Sequence, residues 1–199
     1  FVITTHFHCG DPEVFTDVER AGEISGWCTE FLRTGSSFDL PGGMDEPLQA
    51  GQRIAILAGT DHGTEAYYAW LPAEMTAVRA DELTREGVFD AIAAGRTYAT
   101  TGQKTLLRFA VNGREPAHEV GTIAAKSRRI EVTVGSHMPV MSANVIRNGE
   151  VWRKLGAFDP GVRTFELQDA DKGEGYYRLD VQTAQGHHAW SSPIFYQAK

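Results

Sequence analysis

Two short segments of this sequence carry residue types that bind metal ions. His6 and His8 follow the apolar and β-branched run FVITT, and Asp61 and His62 follow the continuously apolar run at residues 54–58. Because alternate residues of an extended chain point to the same side, the imidazoles of His6 and His8 could reach one cavity. Imidazole and carboxylate ligands together suit zinc, manganese or iron. Such ions polarise phosphoryl oxygens and activate water, so the pattern indicates hydrolytic chemistry.

The first hundred residues alternate predicted strands with predicted helices. In α/β architectures, functional side chains gather where strands end and loops begin, which is where both segments lie. A weaker strand is predicted at residues 23–27. Thr84 can cap a helix in which Leu83 and Val88 form a hydrophobic staple, and Gly95 ends it. We therefore predict an α/β segment over residues 1–103.

The periodicity of the apolar residues changes after residue 103. Apolar and polar residues alternate at residues 107–111, 130–134 and 177–181, as expected for strands with one buried face. Asn148-Gly149 lies between two apolar runs and is a strong hairpin signal. Short strands at this spacing predict an all-β, immunoglobulin-like sandwich over residues 104–199.

Composition excludes some classes of function. The chain has 199 residues, and its formal net charge of −7 comes without any run of lysine or arginine. Binding to nucleic-acid phosphates is therefore not expected. No apolar stretch approaches the roughly 18 residues needed to cross a bilayer, so we expect no membrane span. Two cysteines without zinc-ribbon spacing leave the compartment open.

Structural explanations compete with the metal-site hypothesis. A His-x-His segment at a strand end is often a surface feature, and Asp-His-Gly after a strand is often a turn. Cys9 follows His8 and could be an activated nucleophile, but adjacent residues of an extended chain point to opposite faces. The pair His187-His188 is predicted to form an exposed turn of the sandwich. The sandwich is accordingly expected to be structural rather than catalytic.

Three further motifs support a family resemblance when taken together in order. They are RTYATTG at residues 96–102, VIRNGE at residues 145–150 and AWSSPI at residues 189–194. The chain resembles a large branch of the PHP (polymerase and histidinol phosphatase) superfamily, in which an α/β barrel is followed by a β-sandwich. The resemblance covers residues 50–196 well and residues 1–49 loosely.

The resemblance implies a distorted seven-stranded barrel that holds up to three divalent metal ions and hydrolyses phosphate esters of a small phosphorylated substrate. Asp61 and His62 resemble the last metal-binding motif of the family, although the family separates these two residues by one position. His6 resembles a mid-barrel histidine that follows a strand, and His8 is its candidate partner. Glu23 lies roughly where the family has a strand-borne glutamate.

Arg96 is a candidate phosphate clamp, because a guanidinium can bind phosphate oxygens bidentately. The alternative is that Arg96 is a surface arginine or forms a structural ion pair near the helix end. A rival function from another class is a non-catalytic module for association or carbohydrate binding. The absent first metal motif of the family and the altered spacing of Asp61 and His62 favour that rival, whereas the strand-end ligands favour catalysis.

About one hundred residues provide too few strands to close an α/β barrel. The sequence begins with residues typical of a strand, and the early ligands of the family have no counterpart in it. We therefore expect either an upstream polypeptide segment or the pairing of two copies in a homodimer to complete the barrel.

Overall fold

The computed structural model describes residues 2–4, 19–25, 45–59, 74–101, 103–116, 123–124, 127–170 and 173–197. The helices and strands in these ranges are β1 (Val2–Thr4), β2 (Glu19–Ser25), α1 (Asp45–Gln49), β3 (Ala55–Gly59), β4 (Met75–Val78), α2 (Arg85–Ala93), β5 (Thr97–Thr100), β6 (Leu106–Val111), β7 (Ile123–Ala124), β8 (Arg128–Ser136), β9 (Val140–Arg147), β10 (Glu150–Lys154), β11 (Gly161–Asp169), β12 (Gly175–Thr183), β13 (His188–Ser191) and β14 (Ile194–Gln197). None of the helices among the described residues is long and apolar enough to cross a membrane.

The fold is centred on an eight-stranded sheet. Six of its strands run in the order β10-β9-β12-β13-β5-β4, all neighbours being antiparallel, while β14 pairs with β12 and also with β7. The antiparallel sheet β11-β8-β6 packs against one face of it. Tyr177, Leu179 and Val181 of β12 share that core with Val132 and Val134 of β8. The predicted β-sandwich is therefore confirmed.

The other face of the central sheet packs against α1 and β3. Ile56 and Ala58 of β3 lie in one buried cluster with Trp190 of β13. Leu57 points the other way and packs with Ile92 of α2. Strand β3 is thus buried on both sides, which explains why its sequence is continuously apolar rather than alternating.

Strand β3 is docked to the central sheet by side-chain hydroxyl groups. The backbone N–H of Ile56 donates to Ser192 Oγ at 2.9 Å, and Thr97 Oγ1 donates to the Ile56 carbonyl at 2.9 Å. Thr76 Oγ1 accepts from the Ala58 N–H at 2.8 Å and donates to the Ala58 carbonyl at 2.9 Å. These hydroxyls satisfy backbone groups that would otherwise be buried without a partner.

The predicted cap of α2 and the predicted β9–β10 hairpin are confirmed, but Leu83 of the predicted hydrophobic staple is 97% exposed. The hydroxyl of Thr84 accepts from the Gly87 N–H at 3.0 Å and caps α2. Asn148 and Gly149 have φ angles of 53° and 83°, as a tight turn between antiparallel strands requires. Gly95, with a φ of 76°, follows the end of α2 as predicted.

The prediction of a partial PHP-type α/β barrel is wrong. In the described residues most strand pairs are antiparallel, the only α-helices are α1 and α2, and no series of βα units closes into a barrel. Strands β4 and β5 flank α2, but they pair antiparallel with each other and join the sheet of the sandwich. Hydrophobic periodicity identifies strands without giving their direction, so the sequence pattern did not exclude this arrangement. The boundary near residue 103 stays a prediction, although one sheet contains strands from both sides of it.

Candidate functional site

Four of the predicted metal ligands, His6, His8, Asp61 and His62, lie outside the described residues. Glu23 belongs to β2, whose backbone is described and whose side chains are not. The candidate site is therefore considered through the strands that precede these residues in the sequence.

Strands β1, β2 and β3 form a parallel sheet with β2 in the middle. Thr4 of β1 is in register with Gly22 of β2, which in turn pairs with Ile56 of β3. Parallel strands end at the same edge of a sheet, and ligand sites of open parallel sheets lie at that edge. The sequence continues from the end of β1 to His6 and from the end of β3 to Asp61, in each case after one intervening residue.

Arg96 lies near the opposite edge. It immediately precedes Thr97, whose hydroxyl bonds the Ile56 carbonyl near the amino end of β3. The sequence reaches Asp61 from the opposite, carboxyl end of β3. The guanidinium of Arg96 contacts Asp81 Oδ2 at 2.9 Å, and together with Arg79 it lines a cavity of about 60 Å³. The structural ion pair is therefore observed, and the phosphate clamp stays a prediction.

Within the described residues, no group of three or more histidine, cysteine, aspartate or glutamate side chains could hold a metal ion. The β-rich architecture contradicts a PHP-type barrel domain, and no metal site is found among the described residues. The four candidate ligands beyond the described ranges are not tested by it.

A buried ion pair joins α1 to the central sheet. Arg178 of β12 is fully buried, and its Nε and Nη2 atoms donate to the two carboxylate oxygens of Asp45 at 3.0 and 2.7 Å. The Tyr176 hydroxyl also donates to Asp45, at 2.9 Å. Burial lowers the pKa of Arg178, but the charge and hydrogen bonds of Asp45, together with smaller contributions from Asp180 and Tyr176, leave that pKa raised. The guanidinium is therefore a permanent buried charge that depends on Asp45.

A second polar group adjoins this pair on the same face of β12. Arg178 Nη1 lies 3.7 Å from Asp180 Oδ2, and Asp180 Oδ1 lies 3.8 Å from His188 Nδ1. The imidazole of His188 stacks on the indole of Trp190, with ring centroids 5.1 Å apart and an interplanar angle of 9°. Asp180 and His188 are both buried. Two adjacent strands thus bring a carboxylate and an imidazole together inside the fold.

The prediction that His187 and His188 form an exposed turn is wrong, because both are buried. His187 Nδ1 bonds the Thr101 carbonyl at 2.6 Å, whereas neither ring nitrogen of His188 has a hydrogen-bond partner among the described residues. The polar residues at alternate positions of β12 suggest a face exposed to solvent. That face is covered by α1 and β3, which local periodicity does not reveal.

A second polar network connects strands β8, β9, β11 and β12 of the sandwich. Arg128 Nε donates to the Tyr177 hydroxyl at 3.0 Å, and that hydroxyl donates to Asp169 Oδ2. Arg147 Nη1 also bonds Asp169, at 3.2 Å, and the Arg128 guanidinium lies 4.0 Å from the centre of the Tyr196 ring. Each charged side chain of this network lies within 4.0 Å of one of opposite charge. The role of the network is therefore structural.

We predict an alkaline loss of stability from Tyr176 and Tyr177. Burial first, and then the Asp45 carboxylate for Tyr176 and the hydrogen bond to Asp169 for Tyr177, raise the pKa of each phenol well above its ordinary value. The unfolded chain releases these protons near pH 10, whereas the folded protein retains them. The free energy of unfolding should therefore be unaffected below about pH 10 and fall as the pH rises further.

Ultraviolet titration of the phenols measures this effect. Tyr176 and Tyr177 should resist ionisation until the protein unfolds, and burial also raises the pKa of Tyr98. The Tyr177→Phe variant should lose one resistant phenol and part of the alkaline dependence. Ionisation of all six tyrosines together near pH 10, with the fold intact by circular dichroism, would contradict the prediction.

A concave region lies between α1 and the end of the sandwich. Its cavity of about 450 Å³ is lined by polar and aromatic side chains. The guanidinium of Arg53 lies 5.4 Å from the centre of the Phe195 ring, and Gln49 donates to the Asn148 carbonyl at 3.3 Å. A few polar groups around an aromatic wall are typical of small-molecule sites.

Comparison with known proteins identifies uncharacterised relatives. An uncharacterized protein of Chlamydia muridarum (strain MoPn / Nigg) is 25% identical over 98% of this chain and 37% of its own length. An uncharacterized protein of Chlamydia trachomatis serovar D is 25% identical over 90% of this chain and 34% of its own length. The chain thus spans about a third of the length of the curated relatives it matches. No solved structure matches it.

The family model described as "Protein of unknown function (DUF3604)" matches residues 37–145. This match covers more than half of the chain and includes β3, β4, α2, β5 and the first strands of the sandwich. The chain therefore belongs to the DUF3604 family.

Proposed function

We propose that this chain contributes to a metal-dependent hydrolase of phosphate esters, the chemistry that its resemblance to PHP-superfamily proteins implies. One observation carries the proposal. The parallel strands β1 and β3 end at one edge of their sheet, and the sequence continues from them into His6-x-His8 and Asp61-His62. Convergence at such an edge supports a shared site.

The donor set is chemically suited to zinc, manganese or iron. In this proposal, His6 and His8 bind from the β1 side, Asp61 and His62 bind from the β3 side, and Glu23 belongs to the strand between them. A bound divalent ion would polarise a phosphoryl oxygen and lower the pKa of a bound water. The site would hold up to three ions if its ligand set is complete.

The proposal includes contributions from outside this chain. The curated relatives are about three times as long as the region they share with it. We infer that an upstream polypeptide segment, or a second copy of the chain, supplies the remaining ligands. The substrate class is a small phosphate ester, because no basic tract for a nucleic-acid backbone occurs in the sequence.

The test is metal analysis together with hydrolysis of p-nitrophenyl phosphate, its diester and an aryl phosphotriester. We expect the native protein, purified without chelator, to contain zinc, manganese or iron. Incubation with EDTA should abolish hydrolysis, and added Mn²⁺ or Zn²⁺ should restore it. The absence of both bound metal and hydrolysis of all three esters would contradict the proposal.

A non-catalytic binding module is the second candidate. The cavity of about 450 Å³ beside Arg53 and Phe195 favours it, because this cavity does not involve the predicted metal ligands. A protein without metal and without hydrolysis that binds a soluble oligosaccharide would support this candidate. Loss of that binding in Phe195→Ala, with an unchanged melting temperature, would locate the ligand in this cavity.

A further inference from the structure

A cavity lined by residues of both sheets of the sandwich brings three arginine residues together. Arg79 directly follows β4, Arg96 directly precedes β5, and Arg108 belongs to β6. All three line the cavity of about 60 Å³. Among the described residues Glu115 is the one acidic residue that lines it, so positive charge is in excess here although the chain has a net charge of −7. A local excess of positive charge attracts anions.

Arg79 and Arg96 are held directly opposite each other. The Arg79 N–H donates to the Arg96 carbonyl at 2.9 Å, which extends the antiparallel register of β4 and β5 by one pair. Like charges directly opposite each other on neighbouring strands are destabilising. Arg96 contacts Asp81 and Arg79 contacts Glu115, but the Asp81 side chain is 80% exposed and solvent weakens its pair. An anion between the two guanidinium groups would relieve their repulsion.

The side chain of Arg96 contains a buried donor that the described residues do not satisfy. Its Nη1 atom bonds Asp81 at 2.9 Å. Its Nε atom is buried and has no hydrogen-bond partner among the described residues. Buried donors in native proteins are usually paired. Because Arg96 lines the cavity, an acceptor bound there would satisfy this nitrogen.

The free edge of β6 adds a backbone donor to the same cavity. The Asn112 N–H donates to the Arg129 carbonyl of β8. Alternate residues of an antiparallel strand bond the same neighbour, so Leu107 and Phe109 direct their N–H groups to the edge away from β8. Burial raises the pKa of Tyr98, and the Leu107 N–H at this edge partly offsets that effect. Phe109 also lines the cavity, so its N–H can donate to an anion that lies against this edge.

The size of the cavity favours a small ion. One water needs about 10–15 Å³ of such space, so about 60 Å³ holds roughly four to six atoms of that size. Phosphate and sulfate each have five non-hydrogen atoms. Guanidinium groups bind such oxyanions through charge-assisted hydrogen bonds, often with two parallel contacts.

We propose that Arg79 and Arg96 bind a phosphate-sized oxyanion in this cavity, with Arg96 Nε and the Phe109 N–H as donors. Arg108 adds positive charge to the same cavity. The site shares no residue with the predicted metal ligands and needs no metal ion, so the inference does not rest on the proposed function. The ion is either free phosphate or the terminal group of a phosphate ester, since both present the same oxygen atoms.

Calorimetric titration of the native protein with inorganic phosphate, in EDTA and at constant ionic strength, tests the inference. We expect saturable binding. Arg79→Gln and Arg96→Gln should each raise the dissociation constant for phosphate about tenfold or more, because each removes charge-assisted hydrogen bonds. Glu115→Gln should lower that constant, because it removes a carboxylate that competes with the anion for Arg79. A purely structural role of the ion pairs predicts no gain of affinity in Glu115→Gln.

Arg129→Gln is the matched control. Arg129 also lies on a strand and pairs with a carboxylate, 2.7 Å from Glu131, but it is not part of the cavity lining. Its replacement should leave the dissociation constant for phosphate unchanged. Equal affinity in the native protein, Arg96→Gln and Arg129→Gln would show that phosphate binds elsewhere and would overturn the inference. The absence of saturable binding to the native protein would overturn it as well.

A parallel titration with glycerol 3-phosphate identifies the source of the oxyanion. Tighter binding of inorganic phosphate assigns the cavity to the free ion, and tighter binding of glycerol 3-phosphate assigns it to a phosphate ester. Because EDTA removes divalent ions, these titrations give their result whether or not the protein hydrolyses phosphate esters. Failure of the anion site and failure of the proposed function are therefore separate outcomes.

Discussion

Asp61→Ala is expected to reduce metal-dependent hydrolysis of p-nitrophenyl phosphate by more than about 100-fold and to lose bound metal in parallel. Loss of an outer hydrogen-bond partner typically costs 10–100-fold in affinity or activity, and loss of a direct ligand should cost more. His6→Ala should show the same joint loss, because it removes a donor from the other strand end. Steady-state kinetics and metal analysis on the same samples measure both quantities.

Cys9→Ala provides the matched control for these variants. It lies in the same segment as His6 and His8 but is expected to point away from them, so its replacement should leave turnover nearly intact. Native turnover and native metal content in both Asp61→Ala and His6→Ala would show that the metal-site assignment is wrong. A large loss of turnover in Cys9→Ala alone would favour a thiol mechanism instead.

Asp45→Ala is expected to destabilise the protein by about 3–5 kcal/mol, the usual effect of removing one partner of a buried ion pair. The variant leaves the fully buried guanidinium of Arg178 without its main counter-ion, and the Tyr176 hydroxyl without its acceptor. For a chain of this length the melting temperature should fall by roughly 10 °C. Thermal and urea denaturation followed by circular dichroism measure the change.

Two control variants distinguish the effect of burying an ion pair from the effect of its charges on stability. Arg129 and Glu131 form an ion pair of 2.7 Å on the surface, and Glu131→Ala should cost less than about 1 kcal/mol because solvent screens the pair. The double variant Asp45→Ala, Arg178→Met removes both buried charges and should be more stable than Asp45→Ala alone. An Asp45→Ala variant as stable as Glu131→Ala would contradict the importance of the buried pair.

Local features of the fold were predictable because they depend on neighbours in the sequence. The cap at Thr84, the turn at Asn148 and Gly149, and the alternation along β12 are of this kind. The direction of pairing between β4 and β5 was not predictable, because the same periodicity suits a parallel and an antiparallel strand. The α/β barrel was predicted from that ambiguous pattern and is absent from the described residues.

Among the polar sites too, those that depend on local sequence were predictable and those that depend on distant residues were not. The metal-ligand candidates were found from their spacing after apolar runs, which is a local signal. Asp45 and Arg178 are 133 residues apart, and nothing near either residue indicates the partner. Asp180 and His188 were missed because polar residues at alternate positions of a strand usually face solvent. Only the third layer formed by α1 and β3 buries them.

The hydroxyl contacts that dock β3 have a consequence for synthesis of the protein. The backbone N–H of Ile56 donates to the hydroxyl of Ser192, which is 136 residues further along the chain. At about 5–20 residues per second, a ribosome takes roughly 7 to 27 s to add that length. During this time β3 has emerged without β13 and Ser192, so its packing against Trp190 and its hydrogen bond to Ser192 cannot yet form. Complete docking of β3 on the central sheet therefore waits for the last strands of the chain, and this region is exposed to wrong pairing until then.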